Sequence, residues 1–375
     1  MRFIHTADWQ IGKVFRKFGE KEPVLQQARL DAIETMGALA RKEGADRILV
    51  AGDLYDNDAP SPKTLLEPLE RMTRSGHVQW HIIPGNHDPH RSQGIWDRVQ
   101  AAGLPDNVHL LLSPEPVDLP GVTLFPAPLM RKSDVRDLTE WMDAAPSAPG
   151  SLRIGLAHGS VVGFQSEGDA NNQIDPGRPQ KARLDYLALG DWHRTVSIGP
   201  RVWYSGTPEP DRFGSQQSGK ALVVDIAGTG ATPVVTEHVV GRFGWRSHEE
   251  RLDEPEQLPD LELRLRATAD LSATIMRLTL IGALPLSCHA ELDKRLLSLS
   301  AAMFWLDADR SRLTARPTAA DLERIDFDGV LRGAAEELRS LSDDETKDPA
   351  TRKRADDALI ELFLLTSGDT GESGR

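Results

Sequence analysis

The sequence predicts an α/β protein followed by a smaller α+β region. Three observations carry that reading. Short apolar runs alternate with helix-period patterns through the first half. Those runs end on acids, amides and histidines. After about residue 200 the pattern turns strand-rich, before acids and prolines interrupt it.

The elements follow in order. RFIHTAD (2–8) reads as a first strand. A helix is expected from about Val24 to Lys42, with Val24, Ala28, Ala32, Met36 and Leu39 at helical spacing. GADRILV (44–50) ends that helix and opens the next strand, a second helix is expected near Ser61 to Thr73, and VQWHIIPGNHD (78–88) holds a third strand. Strand–helix–strand alternation favours a sheet covered on both faces. LRIGLAHG (152–159) and LDYLALGD (184–191) continue it, and RVWYSG, ALVVDI and TPVVTEHVV add strands. EERLDEPEQLPD (249–260) clusters acids and prolines without periodicity, so it is predicted as a linker after a first domain over 1–248. A domain over 261–326 is expected to hold the strand IMRLTLIGAL, a helix near Cys288 to Leu299 and another strand pair. Two amphipathic helices over 327–366 and a disordered tail over 367–375 complete the chain.

A chain of 375 residues, 39 % apolar, can bury a substantial core. Its one cysteine, Cys288, excludes thiolate zinc clusters and suits a reduced compartment. Asp8 interrupts the opening MRFIHTADWQ before a signal-peptide core could form, and no apolar run reaches the roughly 18 residues of a membrane helix. The expectation is a cytoplasmic protein without membrane association. The net charge of −13 argues against binding a polyanion unless metal ions or a partner supply positive charge.

Five segments end an apolar run on metal-type ligands: Asp8 in TADWQ, Asp53 in AGDLYD, Asn86 and His87 in PGNHD, His158 in LAHGS, and Asp191 with His193 in GDWH. In an open α/β sheet the carboxyl ends of strands converge on one crevice, so these donors are expected to meet. Asp53 can bridge two cations, and two metals about 3.5–4 Å apart clamp the attacking and leaving oxygens of a phosphoryl displacement. His87, next to Asn86 in sequence, is left free to act on the leaving group.

This ordered set resembles the calcineurin-like metallophosphoesterase superfamily. HTADWQIGK, VAGDLYDN, IPGNHD, LDYLALGDWH and YSGTPEP resemble its SbcD-like branch of double-strand-break repair exonucleases, over roughly residues 1 to 245. The resemblance implies a two-sheet metallophosphoesterase core flanked by helices, with a smaller C-terminal α+β cap domain and terminal helices. It implies a catalytic site in which Asp8, Asp53 and His193 hold one ion, with Gln10 as a further amide ligand, and Asp53, Asn86, His158 and Asp191 hold a second.

The family pattern carries imidazoles where this chain has Gln10 and Asp191. Exchanging two nitrogens for oxygens favours harder ions, manganese first and magnesium next, over zinc. Gln10 is equally compatible with bonding a water at the metal. Asp191 is expected to be a ligand, because an unpaired buried carboxylate is costly. Asp56 and Asp88 are expected to orient histidines from behind. Trp9 and Trp192 flank the ligands and either stack on a nucleobase or, the favoured reading, pack beneath the site. Lys13, Arg16, Lys17 and Lys21 in KVFRKFGEK, with Arg194, either form a solvated basic loop or meet DNA phosphates.

GSQQSGKA (214–221) approximates a phosphate-binding loop, but Ala221 replaces the hydroxyl and a strand follows where a helix is required. The leading function is a metal-dependent DNA nuclease. A small-molecule phosphodiesterase or phosphatase and a degenerate metal-binding assembly subunit are the alternatives. The resemblance further implies DNA and an SMC-like, SbcC-type ATPase as partners, with homodimerisation as an option. In DGVLRGAAEELRSL (328–341) the stripe Val330, Leu331, Ala334, Leu338 and Leu341, capped by Asp328, and the stripe Ala355, Leu359, Leu362 and Phe363, either pack on the cap or seat that ATPase.

Overall fold

The computed structural model describes residues 1–164, 172–214, 218–268, 270–316, 318, 321 and 330–367. The chain divides into two units, Met1–Gly244 and Trp245–Arg375.

In chain order the first unit contains β1 (Arg2–Thr6), α1 (Glu22–Glu43), β2 (Arg47–Ala51), α2 (Pro62–Thr73), β3 (Gln79–Ile83), α3 (Ile95–Ala102) and β4 (Val108–Leu110). There follow β5 (Val117–Leu119), β6 (Val122–Ala127), β7 (Leu152–His158), β8 (Ser160–Val161), β9 (Gln173–Ile174), α4 (Arg178–Lys181) and β10 (Tyr186–Gly190). The last are β11 (Val196–Gly199), β12 (Val202–Tyr204), β13 (Lys220–Asp225) and β14 (Val234–Val239).

They build two six-stranded sheets, ordered β14-β13-β1-β2-β3-β4 and β11-β12-β10-β7-β6-β5. Strands β1 to β4 run parallel, as do β6, β7, β10 and β12, and antiparallel strands close the edges. Alternation along each strand sends side chains to opposite faces. Phe3, Leu49, Ile83 and Val224 of the first sheet therefore pack with Ile154, Leu156, Tyr186 and Ala188 of the second in one core layer. Ile4, Ile48, Val50 and Ile82 face the other way, onto Ile33, Met36, Leu65, Leu69 and Trp96 of the helices. Helix α2 starts where its sequence signals place it: Ser61 caps it by accepting from the Thr64 N–H, with Pro62 in the first turn.

The second unit contains β15 (Gly244–Leu252), α5 (Gln257–Arg266), β16 (Thr274–Leu284), α6 (Leu286–Ala302), β17 (Trp305–Ala315), α7 (Val330–Asp343) and α8 (Pro349–Ser367). Its sheet is ordered β15-β16-β17, with α6 crossing between parallel β16 and β17. The predicted linker over 249–260 is corrected here. Its first residues end β15 and its last begin α5, because Leu252, Leu258 and Leu261 are buried in this unit's core. Interleaved acids hid three inward-facing leucines. The boundary falls at Gly244 rather than residue 248. Where a second strand pair was expected, β17 alone follows α6 among the described residues.

Helix α8 buries Ala355, Leu359 and Phe363, the last two packing with Leu286 and with Ala335 of α7. The buried position on α7 is Ala335, whereas Leu331 and Ala334 are exposed. Between the two helices, Asp348 accepts from the Thr351 N–H and hydroxyl and so caps α8. The Asp328 cap, the start of the 327–366 segment and the tail from residue 368 lie outside the described residues, as do 215–217 of the GSQQSGKA turn. Among the described residues no helix is long and apolar enough to cross a membrane.

Candidate metal centre

Every ligand-bearing segment lies at the carboxyl end of a parallel strand. Asp8 follows β1, Asp53 follows β2, Asn86 and His87 follow β3, His158 ends β7, and Asp191 with His193 follows β10. Asp8, Gln10, Asp53 and Asp191 all take positive φ (56°, 47°, 54° and 96°), a conformation costing a non-glycine residue on the order of 1–3 kcal/mol. Backbone bonds between the two loops hold it: the Asp8 N–H donates to Gly52 O and the Gln10 N–H to Asp53 O, at 3.1 and 3.0 Å. The glycines before Asp53 and Asp191 permit close approach. A Cβ on Gly52 would stand 2.3 Å from His158 Nδ1, and one on Gly190 would stand 2.1 Å from Ala51 O.

Ligand atoms of Asp8, Asp53 and His158 lie within 4.8 Å of one another, and all three residues are buried. His158 Nε2 lies 3.5 Å from Asp53 Oδ1, 3.8 Å from Asp191 Oδ1 and 3.3 Å from Asn86 Oδ1. The Asn86 amide donates to Asp191 Oδ1 at 3.3 Å, and the Asp191 N–H donates to the Asp8 carboxylate at 3.1 Å. Behind them His158 Nδ1 meets Ala51 O at 2.8 Å, so that nitrogen carries the proton and Nε2 faces the cluster. Ser160 donates to Asp191 Oδ2 at 3.1 Å.

Burial alone would lower the His158 pKa, but the charges of Asp53, Asp8 and Asp191 outweigh it and push it up to about 9. Burial, with Asp53 and Asp191 adding to it against the pull of His193 and His158, pushes Asp8 up to about 6. Both shifts express negative charge packed more densely than the protein alone neutralises.

His87 has a different setting. Its N–H donates to Asp53 Oδ1 at 2.8 Å, its Nδ1 lies 2.7 Å from Asp56 O, and its side chain is 43 % exposed. A carbonyl only accepts, so Nδ1 carries a proton and Nε2 is presented outward, 3.9 Å from Asp53 Oδ2. Asp56 thus orients His87 through its backbone rather than its carboxylate. Asp88 orients no histidine. Its carboxylate accepts from the Gly85 and Tyr55 N–H groups, fixing the loops that carry Asn86 and Asp53, and burial, then the charge of Asp53, pushes its pKa up to about 7.

Gln10 and His193 meet each other. Gln10 Nε2 stands 3.1 Å from His193 Nε2, Gln10 Oε1 accepts from Lys13 Nζ at 2.6 Å, and His193 Nδ1 lies 3.1 Å from Asp211 Oδ2. Asp211 also pairs with Lys13 at 2.7 Å. Burial would raise the Asp211 pKa, but the His193 bond and the charges of His193, Arg29 and Lys13 hold it far below the usual carboxylate range. Nothing local in YSGTPEPDR signals Asp211, since its partners lie 18 and 198 residues away.

Trp9 is buried edge-on against Trp80, with its N–H on Thr6 Oγ1, so it packs under the site. Trp192 lies edge-on to Phe164, with the Arg194 guanidinium 5.9 Å from its ring centre. Lys13 turns into the site, whereas Arg16, Lys17 and Arg194 are exposed.

The model of the calcineurin-like phosphoesterase family matches residues 1–226. This chain belongs to that family. It is 24 % identical over 265 residues to the SbcD subunit of nuclease SbcCD from Staphylococcus epidermidis, and 27 % over 266 residues to its counterpart from Escherichia coli K12. The matches cover 60 % of this chain and 66 % and 64 % of those proteins, so it spans just under two thirds of the relatives it matches. Among solved structures, TT1561 of Thermus thermophilus aligns with 64 % of this chain and 98 % of its own, at 12 % identity and a TM-score of 0.39.

A phosphoesterase of this family needs divalent metal, and the donor set can be tested for it. Asp53, Asn86, His158 and Asp191 fit one ion: oxygen donors with one imidazole, convergent and carrying excess negative charge, with Asp8 beside them. The donors of the other position fit less well, because the free faces of Gln10 and His193 are turned on each other.

Proposed function

We propose that this phosphoesterase is a DNA nuclease that hydrolyses phosphodiester bonds in double-strand-break repair or defence, as the nuclease subunit of a complex with an SMC-like ATPase. The observation that carries the reading is the pairing of the buried Asp8–Asp53–His158 cluster with a half-exposed His87 whose Nε2 is presented outward. Divalent metal held by Asp53, Asn86, His158 and Asp191, manganese before magnesium, supplies Lewis-acid polarisation of the phosphoryl group.

The chain's own residues do the rest. Asp53 fixes the His87 backbone and Asp56 fixes its ring, so the outward Nε2 can hold a proton and pass it to the departing oxygen as the ester bond breaks. Ser160 and Asn86 hold the Asp191 carboxylate in one orientation. The nucleic-acid substrate and the ATPase partner are supported by the names of the relatives, both nuclease subunits. Exposed Arg16, Lys17 and Arg194 offer local positive charge on a chain of net −13.

The test compares nucleotide release from plasmid DNA with turnover of an aryl phosphodiester, each with manganese, magnesium or zinc. DNA degradation that is strongest with manganese is expected. Turnover of the aryl ester with intact DNA under all three ions would replace the nuclease by a small-molecule phosphodiesterase.

A further inference from the structure

Four side chains beside the cluster close into a ring. An ammonium only donates, so Lys13 Nζ at 2.6 Å requires Gln10 to turn its oxygen toward Lys13 and its NH2 toward His193. That NH2, 3.1 Å from His193 Nε2, finds an acceptor there provided the ring carries its proton on Nδ1. Nδ1 faces Asp211 Oδ2 at 3.1 Å, which demands that proton. Asp211 Oδ2 also accepts from Lys13 at 2.7 Å, and the circuit is complete with every donor matched.

The ring is built into the fold. The Lys13 N–H bonds Gln10 O at 3.1 Å, Gln26 Nε2 donates to Lys13 O at 3.1 Å, and Gln10 is 1 % exposed. Asp211 is buried, and Asp56 Oδ1 lies 3.9 Å from the same ammonium. Two consequences follow. The Gln10 oxygen and the His193 Nε2 lone pair, the donors that would set apart the first metal position, are both consumed. A permanent positive charge already stands among them.

We propose that the Lys13 ammonium takes the place of one of the two ions, so that this site binds a single divalent cation per chain, at the Asp53–Asn86–His158–Asp191 position. A fixed cation on a short tether provides positive charge next to the phosphoryl group without a second binding equilibrium. It also explains the two departures at once: with Gln10, the first-motif side chain hydrogen-bonds the ammonium, where an imidazole in the family pattern would ligate, and Asp191 concentrates negative charge at the other position. The inference rests on the metal-dependent reading above and fails separately from it.

The experiment counts manganese bound per chain at saturation, by equilibrium dialysis with elemental analysis, and records the electron paramagnetic resonance spectrum. For the wild type, one ion and a six-line mononuclear signal are expected. The double variant Lys13→Ala/Gln10→His, which frees His193 and restores an imidazole, should bind two ions with a spin-coupled spectrum. Two spin-coupled ions in the wild type would overturn the inference while leaving the proposed function standing, and that count decides even if the double variant fails to fold. A folded double variant that stays at one ion also overturns it. No bound ion in the wild type would remove the metal-dependent reading as well.

Discussion

His5 lies on β1, three residues before Asp8, and joins the two sheets that deliver the site. Its Nε2 donates to Leu189 O at 3.2 Å and its Nδ1 accepts from the Tyr186 hydroxyl at 3.0 Å, both partners belonging to β10. The ring has no solvent exposure, and burial, partly offset by the Leu189 bond, holds its pKa down at about 3. In the unfolded chain an imidazole titrates near 6.5. The folded value is depressed, so the stability His5 contributes is fully present above about pH 6.5 and is lost as pH falls toward 3.

Within that window the loss is about 1.4 kcal/mol per pH unit, and integrating the linkage from pH 7.5 to 5.5 gives about 1.4 kcal/mol for this one group. Other histidines titrate in the same range, His81 in the same direction and His158 in the opposite one, so the difference between wild type and His5→Gln isolates the term. Glutamine keeps a donor and an acceptor but never ionises. Six of the eight tryptophans (Trp9, Trp80, Trp96, Trp141, Trp192 and Trp203) lie in the first unit, so urea unfolding followed by tryptophan fluorescence in chelator reports mainly on it. At pH 7.5 the variant should be the less stable, and by pH 5.5 its deficit should have shrunk by about 1.4 kcal/mol. A deficit constant across the range would show that His5 is not held neutral by burial.

His87→Ala should slow hydrolysis by roughly 10²- to 10⁴-fold while manganese affinity, read by titration calorimetry, changes less than about threefold, because the ring acts on the departing oxygen and holds no ion. Joint loss of metal and activity would return His87 to the ligand set. On α7, Leu331 is 41 % exposed and Ala334 is exposed. Leu331→Glu/Ala334→Glu should leave thermal stability within about 0.5 kcal/mol yet abolish co-purification with the SMC-like ATPase. Undiminished co-purification would show that this face does not seat the partner.

The sequence by itself determined whatever depends on near neighbours along the chain. An apolar run that stops at glycine and aspartate is a strand end and a tight turn together. That is why Asp8, Asp53, His158 and Asp191 could be assigned to one edge from their flanking residues alone. Ser61 followed by Pro62 marked a helix start for the same reason, since a cap bonds only three residues ahead. Tertiary structure decided the rest. Asp211 joins His193 and Lys13 only because the folded loops bring them together, and no spacing announces that. Lys13 reads as one more charge in a basic loop until the turn at Gly12, at φ 91°, brings it back over Gln10. The acidic stretch from 249 to 260 looked like a linker because charge frequency hid which leucines face inward. On α7 a shift of one residue, about 100° of helix rotation, separates the exposed Ala334 from the buried Ala335, and the seat at Leu286 and Phe363 chooses between them. Local periodicity fixes which elements form and where they turn. Which side chains share a proton, an ion or a core is set by contacts between distant segments, whose energies exist only once the chain has folded.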